Sequence, residues 1–139
     1  MKKRIIVIGA GDRGNVYAGY ALRHPGQLEI AGVAEPNDAR RRLFAERFSI
    51  PEECCFSSWE DLLSAPLFAD GAVIATQDNL HLQPALAALA KGYPLLLEKP
   101  MALTERDCRM IVEASQKSSL PVVVCHVLRY TNFFSSVKR

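Results

Sequence analysis

Six residues near the amino end, Gly9-Ala10-Gly11-Asp12-Arg13-Gly14, carry the spacing G-x-G-x-x-G directly behind the apolar run Ile5-Ile6-Val7-Ile8. A strand that turns at once into a helix leaves free backbone N–H groups at the helix start, and these attract an anion such as a pyrophosphate. In that context Gly9 permits the tight turn, Gly11 lets the backbone approach the phosphates with no Cβ in the way, and Gly14 lets helix and strand pack closely. Asp12 and Arg13 lie in the same loop, with Arg13 placed to flank the pyrophosphate. Glu35 ends the next apolar run about twenty residues further on, where a carboxylate accepts both hydroxyls of an adenosine ribose and repels a 2′-phosphate. That favours NAD; Asn37 and Arg40 to Arg42 beside it keep NADP open, because they offer donors to a phosphate. A glycine-rich turn that merely joins a strand to a helix has the same six letters, so position carries the reading.

More polar residues follow later apolar runs. Lys99, in Glu98-Lys99-Pro100, comes directly after Leu95-Leu96-Leu97. Low-dielectric surroundings there would lower the amine's pKa toward neutrality and suit it to donate or relay a proton. Held close to Glu98 it would stay charged, and a surface lysine in a proline-stopped turn is the plain alternative. Thr76 to His81 form a polar turn, with Asp78 or Asn79 as helix cap and His81 in the first helical turn; the turn either faces the nicotinamide half of a dinucleotide or only caps. His126 and Arg129 are candidates for holding a polar or anionic substrate group, with a structural histidine and an exposed arginine as the alternatives. His24, before Pro25, reads as surface.

These residues are scattered along the chain, so a scaffold has to gather them. Short apolar runs alternate with amphipathic stretches, which predicts strands and helices taking turns in an α/β architecture. Six strands are expected, over 4–8, 29–34, 55–56, 72–75, 94–97 and 122–126. Their continuous hydrophobicity suits a doubly wound, mostly parallel sheet covered on both faces, with strand order 3-2-1-4-5-6. Helices are expected over 15–24, stopped by Pro25; from Asn37, with Ala39, Leu43, Phe44 and Phe48 inward; from Ser58, paired with Asp61; over 80–91, ended by Gly92; and from Thr104, with Asp107 as its capping partner and Cys108, Ile111, Val112 and Ser115 as the inward stripe. Parallel strands place their C-terminal ends along one sheet edge, where ligands of open α/β folds bind. Gly9 to Gly14, Glu35, Thr76 to His81, Glu98-Lys99 and His126 would all meet there.

Composition narrows the class. Over 139 residues, 17 basic and 15 acidic side chains leave a formal charge of +2, too little net field to favour nucleic acid or an anionic membrane. Hydrophobic residues at 49% and charged ones at 23% suit one folded domain. No apolar run approaches a membrane span. Asp12 and Arg13 cut short the only signal-like start, so export is not expected. Cys54, Cys55, Cys108 and Cys125 have neither metal-site spacing nor the density of a disulfide frame, which fits reduced thiols in the cytoplasm and no bound metal. After the sixth strand, residues 127–139 hold Leu128, Tyr130, Phe133 and Phe134. We read residues 1–126 as one domain and 127–139 as the opening of a second, the alternative being a final element docked on the same core.

Taken together, the glycine loop, Glu35, the turn Thr76 to His81 and above all Glu98-Lys99-Pro100 resemble the N-terminal Rossmann domain of the Gfo/Idh/MocA family, named for glucose-fructose oxidoreductase and inositol dehydrogenase. Similarity covers nearly the whole chain. The resemblance implies an oxidoreductase acting on sugars, cyclitols or related compounds with NAD or NADP. Gly9, Gly11 and Gly14 would then hold pyrophosphate, Glu35 the ribose, Thr76 and His81 the far half of the cofactor, Glu98 and Lys99 the nicotinamide and substrate, and Lys99 would be catalytic. Thr76-Gln77-Asp78 departs from the T-P-N common in the family. Family members continue into a second α/β domain that supplies further catalytic residues and much of the oligomer interface, so a chain stopping at Arg139 is expected to bind a dinucleotide with little or no turnover. A homo-oligomer through the C-terminal segment, and a non-catalytic dinucleotide-sensing or protein-interaction module, stay open beside this reading. A methyltransferase with a similar glycine turn is a further alternative, weakened by Glu98-Lys99-Pro100.

Overall fold

The run Lys3–Ile8 forms the first strand, β1, and its side chains alternate between two cores: Ile6 and Ile8 face one layer, Val7 the other. The computed structural model describes residues 1–137. In chain order there follow α1 (Asp12–Arg23), β2 (Leu28–Ala34), α2 (Asp38–Phe48), β3 (Cys55–Phe56), α3 (Trp59–Ser64), β4 (Gly71–Ile74), α4 (Leu82–Lys91), β5 (Leu95–Leu97), α5 (Glu105–Ser118), β6 (Val122–Val124) and α6 (Asn132–Val137). Short 3-10 turns occupy Glu52–Cys54, Asp78–Leu80 and Val127–Tyr130. All strand pairings are parallel, in the order β3-β2-β1-β4-β5-β6. This is the doubly wound arrangement that the alternating pattern predicts.

One core joins Ile6, Ile8, Ile74, Leu95 and Leu97 to Leu62 of α3, Leu89 of α4 and Ile111 of α5. The other joins Val7, Val33 and Val73 to Ala18 of α1 and Phe44 and Phe48 of α2. The expected caps form: Asn37 accepts from the Arg40 N–H, Ser58 from Asp61 and Thr104 from Asp107, while Gly92 ends α4 at φ +107°.

Several details differ from expectation. Helix α1 begins at Asp12 rather than Asn15, so the glycine loop is itself the helix start. Helix α4 begins only at Leu82, because residues 78–80 make a 3-10 turn first, and neither Asp78 nor Asn79 caps it. In α2, Ala39 and Leu43 are exposed and Arg41 is half-buried instead. The Arg41 guanidinium donates to the Glu35 carbonyl at 2.7 Å and to Asp38 at 2.7 Å, which turns that face of the helix inward. Val112 lies outside the α5 stripe, exposed. Strand β6 stops at Val124, so His126 lies beyond it, and Val123 is exposed. Val123 pairs with Leu96, which packs on the α1–α2 core, so this part of that sheet face stays uncovered among the described residues.

Residues 127–137 expose Leu128, Tyr130, Phe133, Phe134 and Val137. Among the described residues no helix is long and apolar enough to cross a membrane.

Candidate functional site

Two of the three motif glycines are demanded by packing. Gly9 sits at φ +97°, and a Cβ there would lie 2.6 Å from the Ala75 carbonyl oxygen. A Cβ on Gly14 would lie 2.0 Å from the Gly9 carbonyl oxygen. Gly11 differs, because a Cβ there would meet nothing within 4 Å. Among the described residues, packing does not demand a glycine at position 11. The Asn15 side-chain amide donates to the Ala10 carbonyl at 3.0 Å and the Gly11 carbonyl at 3.1 Å, fastening the loop. Among the described residues no side chain caps the start of α1, which leaves its first N–H groups for solvent or an anion.

A cleft of about 520 Å³ opens beside this loop, and Gly11, Asp12, Arg13, Glu35, Arg40 and Thr76 all line it. Sequence separation puts these residues up to 65 positions apart; the shared edge of the parallel strands brings them together. Glu35 is buried, with one carboxylate oxygen accepting from the Ala10 N–H at 2.9 Å and the other from the Asn37 N–H at 3.0 Å. Each oxygen keeps a lone pair for a hydroxyl. Arg41 and Arg42 are tied to Asp38, at 2.7 and 3.0 Å, and Arg40 is the arginine of this trio that lines the cleft. A more apolar hollow of about 450 Å³ adjoins it, sharing Pro36, Thr76 and Leu80 and floored in part by Trp59.

At the other end of the edge, Glu98 is buried and makes a cluster. It pairs with the Arg13 guanidinium at 2.6 Å and accepts from the Tyr17 hydroxyl at 2.6 Å. Arg13 also donates to the Tyr17 oxygen at 2.7 Å, and the second Glu98 oxygen accepts the Lys99 backbone N–H. Burial pushes the Glu98 carboxyl up, but the bonds from Tyr17, Arg13 and Lys99 outweigh it and hold the group below its ordinary range. The bond to Glu98, and then that to Tyr17, raises Arg13. Burial, with help from Cys125 and Glu98, raises the Tyr17 phenol, and burial raises the Cys125 thiol. The sequence alone places Arg13 beside the pyrophosphate and does not single out Tyr17. The available signal was the i, i+4 spacing of the two on α1, which puts them on one face.

Lys99 follows this cluster on the same rim, but it is exposed, and its amine takes no hydrogen bond or ion pair among the described residues. The apolar enclosure expected around it is therefore not supplied by these residues, and Glu98 binds Arg13 rather than the lysine amine. Thr76 donates its hydroxyl to the Leu80 carbonyl at 3.2 Å and lines both hollows. His81, in contrast, is fully buried and lines neither. Its Nδ1 lies 2.7 Å from the Pro100 carbonyl oxygen and its Nε2 3.2 Å from that of Thr76; which nitrogen donates depends on the tautomer, and the shorter contact marks the bond to Pro100, which ties the start of α4 to the turn after β5. Direct contact between His81 and a cofactor gives way to this internal role. His126 is exposed, and Arg129 lines a separate surface hollow with Leu128, Phe134 and Ser135; neither lines the cleft at Gly11.

Comparisons with known proteins agree with the fold. An oxidoreductase from Streptococcus pneumoniae is 31% identical over 134 residues, covering 94% of this chain and 33% of its own. Inositol 2-dehydrogenase of Agrobacterium fabrum is 30% identical over 114 residues, 82% of this chain and 33% of that one. Among solved structures, the WlbA dehydrogenase of Chromobacterium violaceum, in complex with NADH and UDP-GlcNAcA, superposes with a TM-score of 0.91 at 25% identity, over 99% of this chain and 39% of that one. The chain thus spans about a third to two fifths of the length of these relatives. Residues 3–126 match the family model described as an oxidoreductase family with an NAD-binding Rossmann fold, and the chain accordingly belongs to the Gfo/Idh/MocA family as its NAD-binding domain.

Proposed function

We propose that this chain is the cofactor-holding part of an oxidoreductase that moves a hydride between NAD and a hydroxyl or carbonyl of a sugar, cyclitol or related polyol. The observation that carries the reading is Gly11: its missing side chain opens into the cleft that Glu35 and Thr76 also line, and nothing in the fold itself requires the space. When bound, NAD supplies the ring carbon that accepts or returns the hydride. The free N–H groups at the start of α1 hold the pyrophosphate with Gly9, Gly11 and Gly14 shaping the loop and Asp12 and Arg13 at its border, while Glu35 accepts the ribose hydroxyls. Its carboxylate favours NAD over NADP, with Arg40 as the donor nearest a 2′-phosphate.

Lys99 is the proton donor or acceptor for the substrate oxygen, and Glu98 sets where its backbone stands. Its exposure leaves the amine open to a substrate and to a covering domain, which would exclude water from the rim. Residues 127–139, with His126 and Arg129, lead into that domain and contribute to the substrate side and to an interface between copies of the protein. The names of the relatives, an inositol dehydrogenase and a dehydrogenase crystallised with a nucleotide sugar acid, support the substrate class. The four cysteines are free thiols, which suits the cytoplasm.

Titration with NADH followed by fluorescence, and with NAD⁺ by calorimetry, tests the reading. Saturable binding of both is expected; no binding at millimolar cofactor overturns it.

A further inference from the structure

The cluster at the end of β5 does more than neutralise a buried carboxylate. We propose that Tyr17 and Arg13 are positioning residues for Lys99: through Glu98 they brace the turn that carries the lysine against the helix that begins in the glycine loop. The inference rests on the dinucleotide-binding reading above for its consequence, though not for its geometry.

The geometry runs through four groups. Arg13 lies two residues beyond Gly11, and Tyr17 one helical turn further along the same face of α1. Both reach one oxygen of Glu98, across 85 and 81 positions of sequence. The other oxygen holds the Lys99 N–H. A carboxylate so divided cannot turn without losing bonds on both sides, and hydrogen bonds to a charged acceptor are the strong kind. Helix α1 and the Lys99 turn are therefore one mechanical unit, although the sheet places β1 and β5 two strands apart. The Arg13 guanidinium also lies over the Tyr17 ring, 5.0 Å from its centroid, which fixes the pair relative to each other.

Position along the edge gives the brace its purpose. Glu35 marks the ribose end at β2, and Glu98 stands three strand spacings away, roughly 14 Å. A dinucleotide laid from Glu35 across the glycine loop brings its nicotinamide, not its adenosine, to the braced turn. Loosening the brace should therefore cost affinity for the whole cofactor and spare a fragment that lacks the nicotinamide.

The test uses Tyr17→Phe and Glu98→Gln in the full chain, with thermal unfolding confirming that each folds. Two readouts are taken. The first is hydrogen exchange of the Lys99 amide by NMR, with the Glu98 amide as internal control, since that N–H donates to the Ile74 carbonyl at 2.9 Å and belongs to the sheet. In Tyr17→Phe, Lys99 exchange should rise about tenfold and Glu98 exchange stay unchanged. The second is affinity for NAD⁺ against ADP-ribose: NAD⁺ should weaken about five- to tenfold and ADP-ribose less than about twofold, the size of one such bond lost at a partly exposed site. Glu98→Gln keeps a single acceptor oxygen and sets an NH2 donor against either the Lys99 N–H or the Arg13–Tyr17 pair, so both effects should be at least as large as in Tyr17→Phe. Unchanged Lys99 exchange overturns the brace, and so does equal weakening of both ligands. Faster Lys99 exchange in a protein whose wild type binds neither ligand upholds the brace and overturns the cofactor reading instead.

Discussion

Arg13 and Glu98 meet at 2.6 Å, and this ion pair joins the first residues of α1 to the end of β5 with the carboxylate buried and the guanidinium half-exposed. It places the Lys99 turn on the same border of the sheet as the glycine loop. That common rim is the geometric condition for both to serve one ligand.

Substitution at the glycines separates ligand binding from folding. Gly11→Ala is expected to leave the melting temperature within about 2 °C of wild type, because the new Cβ meets open space, while NADH affinity drops at least about tenfold. Gly14→Ala drives a Cβ into the Gly9 carbonyl oxygen and should destabilise the fold by at least about 2 kcal/mol. Calorimetric titration and thermal unfolding of the two variants check the contrast.

Acid should weaken the fold through Glu98. Its carboxyl is held below the ordinary range in the folded chain, so the unfolded chain takes up a proton first as pH falls. The stabilisation is full above about pH 4.5 and is lost progressively below it. Glu98→Gln should lower stability at pH 7 by about 1–2 kcal/mol, a range reduced for the exposure of Arg13, and should flatten the acid limb. Urea unfolding between pH 3 and 7 measures both.

Alkali should act through Tyr17. Its phenol is raised, with burial as the main cause, so the fold keeps the proton after the unfolded chain releases it. Stability from this group is full below about pH 10 and declines above that. Tyr17→Phe should remove this share of the alkaline slope, with the remainder partly due to the buried Cys125 thiol, itself raised. Melting temperatures from pH 8 to 11 are the measurement.

The choice of cofactor should respond to position 35 and then to position 40. Glu35→Ser is expected to weaken NAD about tenfold or more by removing a carboxylate acceptor, and to improve NADP relative to NAD. Arg40→Ala in that background should reverse the NADP gain. Paired titrations with the two cofactors decide it.

His81→Ala should cost about 2–4 kcal/mol, since it leaves a cavity and takes the ring N–H from a carbonyl acceptor. The loss should appear in unfolding measurements made without any ligand.

Much of the site could be read before any coordinates. The glycine spacing, the acidic residue after the second strand and the parallel character of the sheet follow from local pattern, because a strand buried on both faces must be apolar throughout and a parallel sheet must carry its loops at one edge, while the strand order came with the family resemblance. Leu43 and Arg41 show where pattern fails. Helical periodicity points Leu43 inward, but a carbonyl at Glu35 and a carboxylate at Asp38 capture Arg41 and set the face.

The chain alone determined which residues stand at strand ends, since apolar runs and turn residues are properties of neighbours in sequence. Only the tertiary structure decided which of those residues touch. Glu98 found Arg13, Tyr17 and the Lys99 backbone rather than the Lys99 amine, and His81 turned inward to Thr76 and Pro100. Such choices depend on side-chain reach across strands stacked about 4.8 Å apart, and a buried polar group takes whichever partner satisfies it there. No periodicity in the sequence encodes that distance.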